Sequence, residues 1–105
     1  MNTIIKDWNI VSIIDENKAV ENVLWGIVID DNSCRFLKGD YVCSSNIINV
    51  NQGNHLITTN SGSLYQLIGD GSRISIYSDE FELLRCGFSP KQIIEVRGGS
   101  LKFAH

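Results

Sequence analysis

At 105 residues the chain has room for one hydrophobic core, and its balance of 43% hydrophobic to 20% charged residues is that of a segment able to offset ordering entropy by burial. Nine Lys and Arg stand against twelve Asp and Glu, a formal net charge of −3, and the basic residues are scattered singly. That pattern excludes a nucleic-acid groove, whose affinity rests on clustered phosphate contacts. No apolar run approaches the roughly 20 residues that span a bilayer, and residues 1–15 lack the basic region and small-residue cleavage site of a signal peptide, so a cytoplasmic protein with no membrane partner is expected. The cysteines Cys34, Cys43 and Cys86 are odd in number and form no C-x-x-C, which argues against both a disulfide framework and a zinc site.

Ile, Val, aromatic residues, Thr and Ser dominate, one proline is present, and Gly, Asn and Asp recur at short intervals, the pattern of short strands separated by turns. Residues 8–14 read as a first strand, 15–22 as a loop or a single helical turn, and 23–30 as a strongly apolar second strand that reverses at the Asp30-Asp31-Asn32-Ser33 cluster. Two further segments follow, 35–37 and 41–50, divided by the Lys38-Gly39-Asp40 turn, with a kink expected at Ser44-Ser45-Asn46. After a turn at 51–54 come strands 55–59 and 63–68, joined through Asn60-Ser61-Gly62.

Asp70-Gly71 is a hairpin signal, because a type I′ turn needs positive φ at both central residues. A two-residue loop there pairs Leu67 with Ile74 and Tyr65 with Ile76, which places all four on one apolar face. Beyond Tyr77 the period changes. Ser78 is a good N-cap with Asp79 and Glu80 behind it, predicting a helix over 79–86, and Ser89-Pro90 repeats the start signal before a β-prone 95–97 and a Gly98-Gly99 break. The expected fold class is mainly β of the α+β kind: a single domain over 1–105 built as an antiparallel meander or small partly open barrel, with one or two short C-terminal helices.

No constellation in this pattern carries catalysis, so a non-enzymatic chain without cofactor or metal is expected. Cys43 and His55 fall about 13 Å apart along a hairpin closed at 51–54, too far for a nucleophile and its base. Asp30, Asp31, Asp40 and Asp70 lack the spacing of a dedicated cation loop, and each is accounted for by turn chemistry. Gly69-Asp70-Gly71-Ser72 lacks the following helix and lysine of a phosphate loop. Ser44, Ser45, Ser61 and Ser63 have no histidine placed near them, and His105, at the end of the chain, is expected to be mobile.

What stands out is aromatic content beyond what a core of this size accommodates. Exposed aromatics bury large area at small entropic cost and anchor protein interfaces; Trp8, Tyr77 and Phe103 are the residues expected to do so. A protein is therefore the expected partner, direct nucleic-acid binding is not, and homo-oligomerisation stays open.

The segments Leu24-Trp25-Gly26-Ile27-Val28, Arg35-Phe36, Gly39-Asp40-Tyr41-Val42-Cys43-Ser44-Ser45, Thr59 with Gly62-Ser63-Leu64-Tyr65, and Leu84-Arg85-Cys86-Gly87-Phe88-Ser89-Pro90 resemble small uncharacterised proteins of gammaproteobacteria and their prophages, over about residues 24–90. The resemblance implies a setting and carries over no activity or site residue. In that setting a small acidic chain of this kind is similar to anti-CRISPR inhibitors, which occupy a surface of a host defence complex. With a net charge of only −3, blocking through an apolar and aromatic patch is favoured over mimicry of DNA. The alternatives are a toxin-neutralising immunity protein and a small-ligand or nucleotide-binding barrel using loop amides near Gly39, Gly62 and Gly71.

Overall fold

The computed structural model describes residues 2–32 and 35–103, with side chains described for 3–32 and 35–97. It is a mainly β protein, a mixed, open sheet of seven strands followed by helices at the C-terminal end. The strands are β1 (Asn2–Asp15), β2 (Lys18–Asp31), β3 (Tyr41–Cys43), β4 (Ile47–Asn51), β5 (Leu56–Thr59), β6 (Leu64–Leu67) and β7 (Ser72–Tyr77). A 3₁₀ turn at Ser78–Glu80 leads into α1 (Phe81–Arg85) and α2 (Pro90–Phe103).

The frame is a hairpin of two 14-residue strands, β1 and β2. A strand of that length spans roughly 45 Å, and the molecule's longest dimension is 48 Å. Its turn is Glu16-Asn17, both at positive φ (50° and 68°), between paired Asp15 and Lys18. Both central residues therefore hold the backbone of a two-residue primed turn, with glutamate where glycine or asparagine is usual. The loop expected over 15–22 is thus a tight reversal followed directly by strand.

In the middle of the hairpin β1 carries an insertion. Pairing runs Lys6 to Ile27 and resumes at Asn9 with Trp25, so Asp7 and Trp8 together face Gly26. Asp7 takes the left-handed conformation at φ 50°, which costs a non-glycine residue about 1–2 kcal/mol. One extra residue inverts the alternation of β1 relative to β2. Before the bulge Ile5 points to a first core cluster with Val28, Ile57, Tyr65 and Leu67; after it Ile10 and Leu24 continue that side, while Val11 and Ile13 join Val23, Trp25, Ile76, Leu84 and Ile93 in a second cluster under the helices.

The other edge of β1 is shared by two strands. β6 pairs in parallel with Asn2–Ile5 and β7 in parallel with Asn9–Ile14, end to end along the same edge. The hairpin expected at Asp70-Gly71 is therefore corrected: β6 and β7 do not pair with each other. Tyr65 and Leu67 lie in the first cluster while Ile74 and Ile76 pack with the second, on opposite sides of the sheet. Neither Asp70 nor Gly71 has positive φ. Gly71 meets a different demand, since a Cβ there would lie 2.2 Å from Cδ2 of Trp8.

β3 flanks β2, and β5 and β4 extend beyond β6, giving the order β3-β2-β1-β6-β5-β4. The break between β3 and β4 falls at Ser44–Asn46, where the kink is expected. Ser44 N donates to Leu24 O (2.9 Å), Ser44 Oγ accepts from Leu24 N (2.8 Å), and Asn46 Oδ1 accepts from Asn22 N (3.0 Å). These bonds tie the far end of the curled sheet back to β2 without closing a barrel. Residues 35–37, expected as strand, are bend instead, because Asp31 Oδ2 accepts from Arg35 N and Phe36 N and Asp40 Oδ2 accepts from Leu37 N. The 95–97 segment and Gly98-Gly99 are helical. α2 starts on a reciprocal cap, Gln92 N to Ser89 Oγ at 3.1 Å and Ser89 N to Gln92 Oε1 at 2.8 Å, and buries Ile93 completely.

Gly26 is the tightest point of the bulge, for a Cβ there would lie 2.1 Å from Cγ2 of the fully buried Ile5 and 3.2 Å from Lys6 O. Gly26→Ala is expected to lower the urea-unfolding free energy by about 1–3 kcal/mol through overpacking. An unchanged midpoint would show that β2 does not approach β1 this closely.

Candidate functional site

Because β6 ends at Leu67 and β7 begins at Ser72, the chain at 68–71 leaves the sheet opposite the bulge and opens a cleft of about 350 Å³. Its walls come from three places: Trp8 and Ile10 of β1, the 68–73 connection with Asp70 and Arg73, and the β4–β5 turn with Gln52 and His55. Trp8 is fixed there, its Nε1 donating to Gly69 O at 3.2 Å and its ring lying against Gly71. His55, also lining the cleft, sits at φ 54°, another left-handed non-glycine residue. Gln66 Nε2 donates to Asn54 O (2.9 Å) and His55 O (3.1 Å), and Leu67 N donates to His55 O (2.8 Å), so β6 pins the turn in that shape. Strained backbone held by its surroundings clusters at binding sites. A shallower cleft between Ile10, Asn22 and the β4 residues Ile47–Val50 adjoins the first through Arg73.

Tyr77 closes the far end of β7, roughly 17 Å along the strand from Ser72, so the structure does not bring Trp8 and Tyr77 together. Tyr77 is 55% exposed, yet it is held. Its N–H donates to Glu80 Oε1 at 2.9 Å, and the Arg97 guanidinium lies over its ring at 5.0 Å. Arg97 in turn is clasped by Glu80, Nε to Oε2 at 2.8 Å with a second bond from Nη2 to Oε1. The Arg97 bonds hold the Glu80 carboxyl below the usual carboxylate range, against the opposing effect of its partial burial. The side chain of Phe103, with Ser33, Cys34 and His105, lies outside the described residues. Arg73 and Gln52 were not singled out by sequence, and His55 was weighed only as a base for Cys43; the Asn51-Gln52-Gly53-Asn54 turn was the available signal, but only the unforeseen β1–β6 and β1–β7 pairing carries it to Trp8.

Cys43 pairs with Trp25 on β3 and packs with the second cluster, on a different strand pair from the His55 turn. Burial pushes its thiol up to about 11, so it stays protonated at neutral pH and is a poor nucleophile. Thr59, Ser61, Ser63 and Ser45 form a hydroxyl chain, with Ser45 Oγ to Ser61 Oγ at 3.1 Å and Arg35 Nη1 to Ser63 Oγ at 3.0 Å. Among the described residues no imidazole is bonded to it. Asp31 Oδ1 accepts from Thr3 Oγ1 (2.8 Å) and Asp30 Oδ1 from Asp31 N (3.0 Å), and among the described residues no three His, Cys, Asp or Glu side chains gather as metal ligands. No described helix is long and apolar enough to cross a membrane.

Fold and site together define a small β domain with a mixed polar and aromatic cleft and a braced, exposed Tyr77. The chain belongs to the family of the domain of unknown function DUF6957, whose model matches residues 1–82. The matched span contains β1 to β7, the cleft and Tyr77, and stops within α1. No curated protein and no solved structure is found to match it.

The Glu80–Arg97 clasp generates a pH signature. A carboxyl whose folded value is lowered contributes stability that is fully present above its unfolded value, about 4.3, and is lost as pH falls through the lower folded value. The stability difference between the native chain and Glu80→Gln, measured by denaturant titration, is therefore expected to be constant near neutrality and to vanish on acidification below the ordinary glutamate range. A difference independent of pH would assign the effect to packing instead.

Proposed function

We propose that the chain is a non-enzymatic protein-binding module whose recognition surface is centred on Tyr77. The observation that supports this most directly is the bracing of an exposed aromatic. A free surface tyrosine must be ordered when a partner binds, whereas Tyr77 already has its N–H bonded and its ring covered by a guanidinium that is itself clasped. Preorganised aromatics of this kind make interface hot spots, because the ordering cost is met in the folded monomer. The helices cover one side of the β1–β2–β7 sheet, and Ser75 and Tyr77 on the opposite side of β7 from Ile74 and Ile76 remain exposed. Phe103, on α2, belongs to the same proposal through the helix that supplies Arg97.

The partner class that fits the resemblance to prophage proteins is a component of a host defence complex, blocked by occupation of its surface as anti-CRISPR inhibitors do, within the cytoplasm. A formal net charge of only −3, with the Arg97 guanidinium lying over Tyr77 itself, favours apolar and aromatic contact over mimicry of a nucleic acid.

Expression of the chain in a gammaproteobacterial host with an active CRISPR system is expected to raise phage plating to the level of a host without that system. Tyr77→Ala is expected to abolish the effect by weakening binding roughly 30-fold or more, the loss of a single hot spot. Equal protection by Tyr77→Ala would remove Tyr77 from the interface. No protection, combined with rescue of cells poisoned by the product of a neighbouring toxin gene, would replace the reading with that of an immunity protein.

A further inference from the structure

We propose that the cleft beside Trp8 is a binding site for a nucleoside monophosphate, separate from the Tyr77 surface. The cleft, at about 350 Å³, is at the small end of the range for ligand sites, the size class of a single nucleotide rather than a dinucleotide or a peptide. Its chemistry supplies one group for each part of such a molecule.

The aromatic wall is Trp8. Gly71 against the ring and the Nε1 bond to Gly69 O fix the plane of the indole, so that where it lines the cleft it is a rigid apolar wall against which a base packs without further ordering. The cation is Arg73. It stands beside Ile10 in the β1–β7 register, two residues on from Trp8, so its backbone lies roughly 7 Å along the strand from that of Trp8, and both residues line the cleft. Among the described residues Arg73 has no carboxylate within salt-bridge distance, and it is exposed; its five donors remain available for the forked hydrogen bonding that phosphate oxygens accept. His55 faces the same space from the opposite wall and adds a second donor for the phosphate.

The remaining polar groups select within the class. Asp70, which also lines the cleft, offers carboxyl oxygens as acceptors for a ribose diol. The Gln52 carboxamide carries donors and an acceptor for the edge of a base. The left-handed backbone of His55 on the cleft wall, and of Asp7 next to Trp8 in the bulge, is sustained by the sheet and holds these groups in place before any ligand arrives.

The test is a titration of the isotopically labelled full chain with AMP, GMP, CMP and UMP, with the corresponding nucleoside of each and ribose 5-phosphate as fragments. The readout is the two indole Nε1–H signals, assigned with Trp8→Phe, and the backbone amides of 69–73. At least one monophosphate is expected to shift the Trp8 indole and these amides saturably at low millimolar concentration or below while the buried Trp25 indole stays in place. Both of that nucleotide's fragments should bind about tenfold or more weakly, and Arg73→Ala should weaken the nucleotide about tenfold with Arg73→Lys restoring part of the loss. Arg73 is exposed, so the variant's amide spectrum reports directly that the fold is kept. Absence of saturable shifts with all four monophosphates, shifts that map away from Trp8 and 69–73, or ribose 5-phosphate binding as tightly as the nucleotide would each overturn the proposal.

Discussion

The structure depends on one insertion. By placing Asp7 and Trp8 opposite Gly26, β1 gains a residue over β2 and turns its side chains through half a period in mid-strand. A 14-residue strand with uniform alternation would offer a single apolar face to one layer. With the bulge, the first part of β1 feeds Ile5 to the cluster enclosed by the curled sheet and the second part feeds Val11 and Ile13 to the cluster under the helices. The two cores of an elongated molecule are thus joined through a single strand, at the cost of a left-handed aspartate and a glycine that no side chain can replace without displacing Ile5.

The same insertion makes the cleft. Two strands in tandem along one edge of β1 leave a gap between them, and the bulge puts the largest side chain of the strand, Trp8, into that gap. The indole then organises the connection around itself: Gly69 accepts its N–H, and Gly71 lets the backbone approach its ring. At the other end of β7 the Glu80–Arg97 clasp gives Tyr77 a comparable fixity. Aromatic groups that are ordered by the fold and still reachable are the common element of both surfaces, and the Cys43 thiol, kept protonated by burial in the second cluster, shows none of that availability.

Much of the local structure was legible in the sequence. Alternation marked the apolar β2 core, β5, β6 and β7; the Ser44-Ser45-Asn46 break separated β3 from β4; and Ser89-Pro90 announced α2 through capping chemistry, whereas Ser78 caps no helix: its hydroxyl donates to Asp15 Oδ1, 78–80 is a 3₁₀ turn and α1 begins only at Phe81. The pairing was not legible, because Asp70-Gly71 satisfies a hairpin rule locally, while the contact that decides its conformation is with Trp8, 63 residues earlier. The Glu16-Asn17 turn was hidden by a glutamate at positive φ, and α2 runs through Gly98-Gly99 although glycine there weakens a helix by roughly 1 kcal/mol per residue. Of the aromatic residues read as anchors, Tyr77 is exposed and Trp8 is half-buried as the wall of a cleft; Arg73 carried no signal of its own and His55 was weighed only as a base for Cys43, since only the parallel pairings of β1 bring them to that cleft.

The parallel partnership of β1 with β7 is the feature on which the two cores, the cleft and the placement of Tyr77 all rest. Interstrand nuclear Overhauser effects measure it directly. Amide to Hα cross-peaks linking residues 9–14 of β1 with 72–77 of β7, together with none linking Leu67 to Ile74, are what the account predicts. Cross-peaks of an antiparallel ladder between β6 and β7 about Asp70-Gly71 would contradict it, and with it the cleft that the gap between those strands creates.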